Sequence, residues 1–186
     1  MLERCHANAL RRGIEVRLYH QRVEDLALDR RYPSIYFAGP TCTLLPDDET
    51  ARRALLAIHQ HLTDNGMALI PLWVPDPAPT EELGVSRSHD DGLGVEVRYT
   101  PVSETNDPVG RTRVTSSRYE RVTSTGTEVA EREWIIHWQT SSSFRRLCRE
   151  TGLDVVDIVD DDTGTAAIDS STSFTATVSR GSSDQP

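Results

Sequence analysis

The side chains able to do chemistry in this sequence stand apart from one another. His59 and His61 lie two residues apart in "LAIHQHLTDNG". On a helix that spacing points them to different faces, which suits solvated helix polar groups better than a shared metal. His137, in "WIIHWQT", falls between Trp134 and Trp138. On an alternating strand it reads as a half-buried packing residue, with substrate contact and proton transfer as the catalytic alternative. Cys42, in "PTCTLL", follows an apolar run and has no neighbouring histidine, so it reads as an inert thiol. Asp157 and the run Asp160–Asp162 lack the glycine and glutamate offsets of a calcium loop and read as a solvated turn. Neither a metal nor a disulfide is expected, because Cys5, Cys42 and Cys148 sit at unrelated spacings. No single residue announces a reaction.

The elements that would position these groups say more. Leu2, Cys5, Ala9 and Leu10 recur at helical spacing, and "IEVRLYHQ" (14–21) predicts a strand. "SIYFAG" (34–39) predicts a short buried parallel strand, and 47–66 an amphipathic helix with an acidic start and Asn65-Gly66 as its stop. "MALIPLWV" (67–74) predicts the next strand, ended by prolines. The middle of the chain changes character. Segments 94–103, 111–123 and 127–140 are rich in Val, Thr, Tyr and Trp and are separated by turn residues, which predicts an antiparallel meander. A Ser/Thr-capped helix over 140–152 and strands at 153–159 and 172–179 close the chain.

The fold class is therefore α/β: an open sheet with an inserted antiparallel β-meander. Its expected parts are 1–78, 79–140, 141–180 and a disordered tail at 181–186. Strands 16–21, 34–38 and 67–73 should run parallel, with 153–159 and 172–179 as an antiparallel pair beside 67–73.

Composition narrows the function classes. The chain has 186 residues and a formal net charge of -9, its positive charge carried by arginine in ones and twos. That disfavours a broad nucleic-acid surface, which needs clustered cations. A mean hydropathy of -0.47 and the lack of a long apolar run predict no membrane span, and no signal peptide is evident. The expected location is cytoplasmic. Ligands of open α/β sheets sit outside the carboxyl ends of strands, here 20–25, 37–43 and 71–77.

Three stretches carry a family likeness: "LYHQRVEDLALDRRYPSIYFAGPTCTLL", "ALLAIHQHLTDNGMALIPLWVP" and "HWQTSSSFRRLCRETGLDVVDIVDDDTG". Together they resemble class I S-adenosylmethionine-dependent methyltransferases of small molecules, over roughly residues 1–179, through the order and spacing of weak motifs. The resemblance implies a partial Rossmann-like methyltransferase sheet, S-adenosylmethionine as cofactor and a small-molecule substrate. It places Gln21, Arg22 and Val23 beside the adenine, although many members carry an acidic residue at the position of Arg22. It matches Ala38 and Gly39 to the turn passing the methionine end. Trp73, Tyr99 and Trp138 become substrate-side wall residues, and His137 the catalytic candidate.

The resemblance also bears on the opening helix, which begins at the initiating methionine without a capping residue. In the family a Met-Leu pair commonly starts an internal helix, after a glycine-rich cofactor-binding turn. Met1-Leu2 looks like that pair, so the chain is expected to lack that segment and to bind the cofactor weakly or not at all. Three readings follow: an incomplete or inactive methyltransferase, a non-catalytic remnant or module needing a partner chain, and a mis-assigned start. Unpaired strand edges would then permit a homodimer, a new pairing of 16–21 with 34–38, or a loose N-terminal segment, the loose segment being favoured over the new pairing.

Overall fold

The computed structural model describes residues 1–90, 92 and 94–181. After helix α1 (Leu2–Arg11) come strand β1 (Tyr32–Tyr36), helix α2 (Asp48–His61) and strand β2 (Leu62–Trp73). The meander comprises β3 (Arg87–Asp90), β4 (Glu96–Asp107), β5 (Thr112–Thr123) and β6 (Gly126–His137). Helix α3 (Ser141–Glu150) and strands β7 (Leu153–Asp160) and β8 (Ser173–Arg180) follow. One sheet has the order β1-β2-β8-β7 and the other β3-β4-β5-β6. β1 runs parallel to β2, whereas β8 is antiparallel to both β2 and β7.

The core lies on one face of the first sheet. Ala68, Ile70 and Leu72 of β2 alternate into it beside Phe174, Ala176 and Val178 of β8. Ala51, Ala54, Leu55 and Ile58 of α2 and Phe144, Leu147 and Cys148 of α3 cover them. Both helices have side-chain caps. Asp47 accepts from the Thr50 amide at 2.7 Å, and Thr140 forms a capping box with Ser143; each cap stabilises its helix by about 1 kcal/mol. The opposite face leaves Tyr36, Met67, Leu69 and Val156 exposed.

Three expectations are corrected. Residues 14–22 form no strand: Val16 and Leu18 are half-buried in the alternation of a strand, yet no backbone hydrogen bond pairs the segment with β1. Pattern supplies a face, but a strand also needs a neighbouring edge at the right distance. The helix predicted over 47–66 ends at His61, where Leu62 turns to extended backbone (φ -80°, ψ 140°) and opens β2. There the register jumps, Tyr32 facing Leu62 but Ser34 facing Met67, so Thr63–Gly66 bulge out. A Cβ on Gly66 would stand 3.0 Å from the Thr63 backbone, which is why the bulge closes on glycine. Third, His61 is buried rather than solvated, being only 6% exposed. Its Nε2 accepts from the Leu28 amide at 2.9 Å while Nδ1 stands 2.7 Å from the Ala57 carbonyl oxygen, pinning the 26–31 loop to α2.

The short strand β3 has no counterpart among the predicted elements; four exposed polar residues carry no apolar alternation to announce it. Within the meander, Asp107 accepts from the amides of Val109 and Gly110 and closes the β4–β5 turn. Of the predicted disordered tail, 182–186 lie outside the described residues. No helix among the described residues is long and apolar enough to cross a membrane.

Candidate active site

The carboxyl end of the parallel pair is where the chain leaves β1 through Ala38 and Gly39 into a 3-10 turn over Gly39–Leu44. β6 packs against this turn, which brings the end of the meander to the carboxyl end of β1. Gly39 has φ +61°, a left-handed conformation that favours glycine, and a Cβ there would meet nothing within 4 Å; its amide donates to the Tyr36 hydroxyl at 3.4 Å. Cys42 in the same turn is buried, and burial pushes its thiol up to about 12. The thiol stays protonated, an inert packing group. Cys148 is likewise pushed up to about 12, and all three cysteines are free.

Four chain segments meet beside this turn. Asp48, in the first turn of α2, sits where the helix dipole favours a carboxylate. Its Oδ2 lies 2.5 Å from Arg111 Nη2, and its Oδ1 accepts from Gln139 Nε2 at 2.7 Å. Arg146 of α3 reaches Oδ2 at 3.6 Å, and His137 Nε2 stands 3.4 Å from Oδ1. Arg111 Nη1 also donates to Gln139 Oε1, which further accepts from Ser143 Oγ at 2.7 Å. Arg111 adopts a left-handed φ of 55°, alone among the described non-glycine residues. That conformation costs about 1–2 kcal/mol, offset by the guanidinium bonds and by the Trp138 amide donating to the Arg111 carbonyl at 3.0 Å.

His137 is 6% exposed, and its Nδ1 is buried without a hydrogen-bond partner. Burial lowers its pKa below the ordinary 6.5, Asp48 pulls it back up in part, and Arg111 lowers it further. Burial also pushes Asp48 up, but hydrogen bonds from Gln139 and Arg111 outweigh this and hold it below 3.8. His59 is lowered by burial, then by Arg180 and Arg31. A histidine whose folded pKa lies below its unfolded value binds its proton more tightly when unfolded. The stability this confers is present above about pH 6.5 and is lost as pH falls through the folded values. Thermal unfolding between about pH 7.5 and about pH 5 should therefore show stability falling with acid, and less steeply in the His59→Gln, His137→Gln double variant. Equal slopes in the two proteins would contradict this assignment.

The other predicted site residues are dispersed. The Gln21 side chain is spent on Ala27, accepting from its amide at 2.8 Å and donating to its carbonyl at 3.2 Å. Arg22 Nε donates to buried Glu24 at 2.5 Å, and Val23 packs against the core. Trp73 lies under Arg113, whose guanidinium carbon is 5.4 Å from the ring centroid. Tyr99 packs on Tyr119 at 5.3 Å. Tyr119 is six residues along β5 from Arg113, roughly 20 Å away, so Tyr99 and Trp73 do not share a wall. Trp138 is buried beside His137. Asp48, Arg111 and Gln139 carry no local signal, since what joins them is separated by up to 91 positions.

The turn at Asp160–Asp162 is explained by its own bonds. Asp160 Oδ1 accepts from the amides of Asp162 and Thr163, while the Asp161 carboxylate accepts from Ser173 and Thr175 hydroxyls at 2.8 Å.

No protein-family model matches the chain, and no curated protein matches it. Solved structures do. An S-adenosylmethionine-dependent methyltransferase from Clostridium acetobutylicum superposes with a TM-score of 0.73 at 14% identity, over 97% of this chain and 71% of that one. The sugar N-methyltransferase KedS8 from Streptoalloteichus gives 0.67 at 16% identity, over 94% and 66%. The amino pentose methyltransferase CalS10 from Micromonospora echinaspora gives 0.60 at 18%, over 92% and 69%. The chain thus spans about two thirds of these proteins' lengths and has the fold of class I methyltransferases, Rossmann-like with a partial sheet.

Proposed function

We propose that this chain is a methyltransferase acting on a small molecule with S-adenosylmethionine as cofactor. The observation that carries this reading is the Ala38–Gly39 turn at the carboxyl end of a parallel strand pair, beside buried His137 and half-buried Asp48. When bound, the cofactor supplies an electrophilic methyl group on a sulfonium centre. Its methionine end would lie at the Ala38–Gly39 turn, where the space beside the Gly39 Cα is empty, with the Tyr36 hydroxyl 3.4 Å from the Gly39 amide and Thr41 donating to the Ala38 carbonyl at 2.8 Å. Its adenine end finds no such fit in Gln21, Arg22 and Val23, whose polar groups are engaged with Ala27 and Glu24. These residues by themselves therefore grip the cofactor weakly.

His137 is the proton acceptor for an N–H or O–H of the substrate. Its depressed pKa keeps it neutral near pH 7, and its Nδ1 is shielded from water. The ring is 6% exposed, which limits access by solvent.

Titration calorimetry of the whole chain with S-adenosylmethionine tests the assignment. The expected result is saturable binding weaker than about 0.1 mM, corresponding to less than about 5.5 kcal/mol, and lost in Gly39→Val. No saturable binding at millimolar cofactor would overturn the cofactor assignment. Micromolar affinity would instead show that residues 21–23 rearrange to grip the adenine.

A further inference from the structure

We propose that Asp48 is the positioning residue of this site, fixing His137 as the Nε2–H tautomer so that Nδ1 is the proton acceptor. The inference rests on the reading of His137 as the base, and three observations carry it. His137 Nε2 stands 3.4 Å from Asp48 Oδ1, just beyond the length of a formed hydrogen bond and within reach of one on a small movement. His137 Nδ1 is buried and meets no polar partner. The Asp48 carboxylate is not free to turn away, being held through one oxygen by Gln139 and through the other by Arg111.

These facts separate the two neutral tautomers of the ring. With the proton on Nε2, that nitrogen stands 3.4 Å from a carboxylate oxygen, and the buried Nδ1 keeps a lone pair that a substrate reaches only by displacing its cover. With the proton on Nδ1, a buried donor has no acceptor, and the Nε2 lone pair faces a carboxylate oxygen. Both changes oppose the second form. An orienting carboxylate of this kind acts through the histidine and does not itself take up the proton.

The groups facing the imidazole come from three elements. Asp47 caps α2 and Asp48 opens it, Arg111 precedes β5, and Arg146 of α3 reaches the same Asp48 oxygen as Arg111. Only Asp48 places an atom within ion-pair distance of Nε2 among the described residues. Arg111 has a second part: its left-handed backbone carries the guanidinium into a position where one side chain touches Asp48, Gln139 and the Trp138 carbonyl.

Nitrogen-15 NMR of the histidine rings in the whole chain reads the tautomer directly, with no cofactor or substrate present. Wild-type His137 should be Nε2–H near neutral pH. Asp48→Asn, which can offer an N–H to Nε2, should move the ratio of the two forms toward Nδ1–H by about tenfold, the effect of one hydrogen bond on an equilibrium. Asp48→Glu, which keeps a carboxylate, should restore most of the Nε2–H population and also serves if the asparagine variant does not fold. Wild-type His137 found as Nδ1–H, or a ratio unchanged in both variants, would overturn the proposal. Those results are independent of whether His137 is the base, which the rate of a His137 variant decides.

Discussion

Truncating Phe174 to alanine should destabilise the protein by about 3–5 kcal/mol, the range for deleting a fully buried aromatic ring. Phe174 is completely buried in β8, which lies between β2 and β7 and is antiparallel to both. Its register partners are Leu72 on one side and Asp160 on the other, so the ring fills the core next to the Asp160–Asp162 turn. The void would lie between β8, held on both sides by neighbouring strands, and the side chains of α2 and α3 that cover this face. Such a site collapses poorly, which places the cost high in the range. Urea unfolding followed by circular dichroism measures it. A loss below about 1 kcal/mol would mean that the ring is not packed as described.

Replacing His137 with alanine should lower turnover at saturating cofactor by about 10²–10⁴-fold, the usual contribution of a positioned base. The readout is release of S-adenosylhomocysteine with a panel of small amines and alcohols. The substitution also strands the Asp48 carboxylate, so the control is a His137→Asn variant matched for thermal stability. Parallel losses in rate at equal stability support proton transfer at this position. An unchanged rate would remove His137 from the mechanism and leave methyl transfer to positioning alone.

What the sequence determined by itself is the local grammar. The acidic start and apolar stripe of 48–61, the Thr140 cap before α3, and the turn residues around Asp107 and Gly126 act within a few positions of themselves. Their elements form for that reason, although the helix expected over 47–66 stops at His61. The pairing of 153–160 with 173–180 beside β2 was legible because a short acidic turn joins two apolar runs. The likeness to methyltransferases also lay in the sequence, as an order of weak elements, and the superposed structures share that order as a fold.

Tertiary structure decided the rest. Residues 14–22 have the alternation of a strand and yet pair with no strand, although β1 ends the sheet with an open edge; no local pattern reports that. The Thr63–Gly66 bulge arises because β2 must meet β1 in a shifted register, overriding a stretch that reads as the end of a helix. His61 looks like a surface histidine until the 26–31 loop folds back and gives its Nε2 a backbone donor. The candidate site is the clearest case. His137 was visible as a residue, but Asp48, Arg111 and Gln139 become its surroundings only when α2, the β4–β5 turn, the end of β6 and α3 converge. Hydrogen bonds and ion pairs act over about 3–4 Å, and chain distance carries no information about them; packing of the layers does.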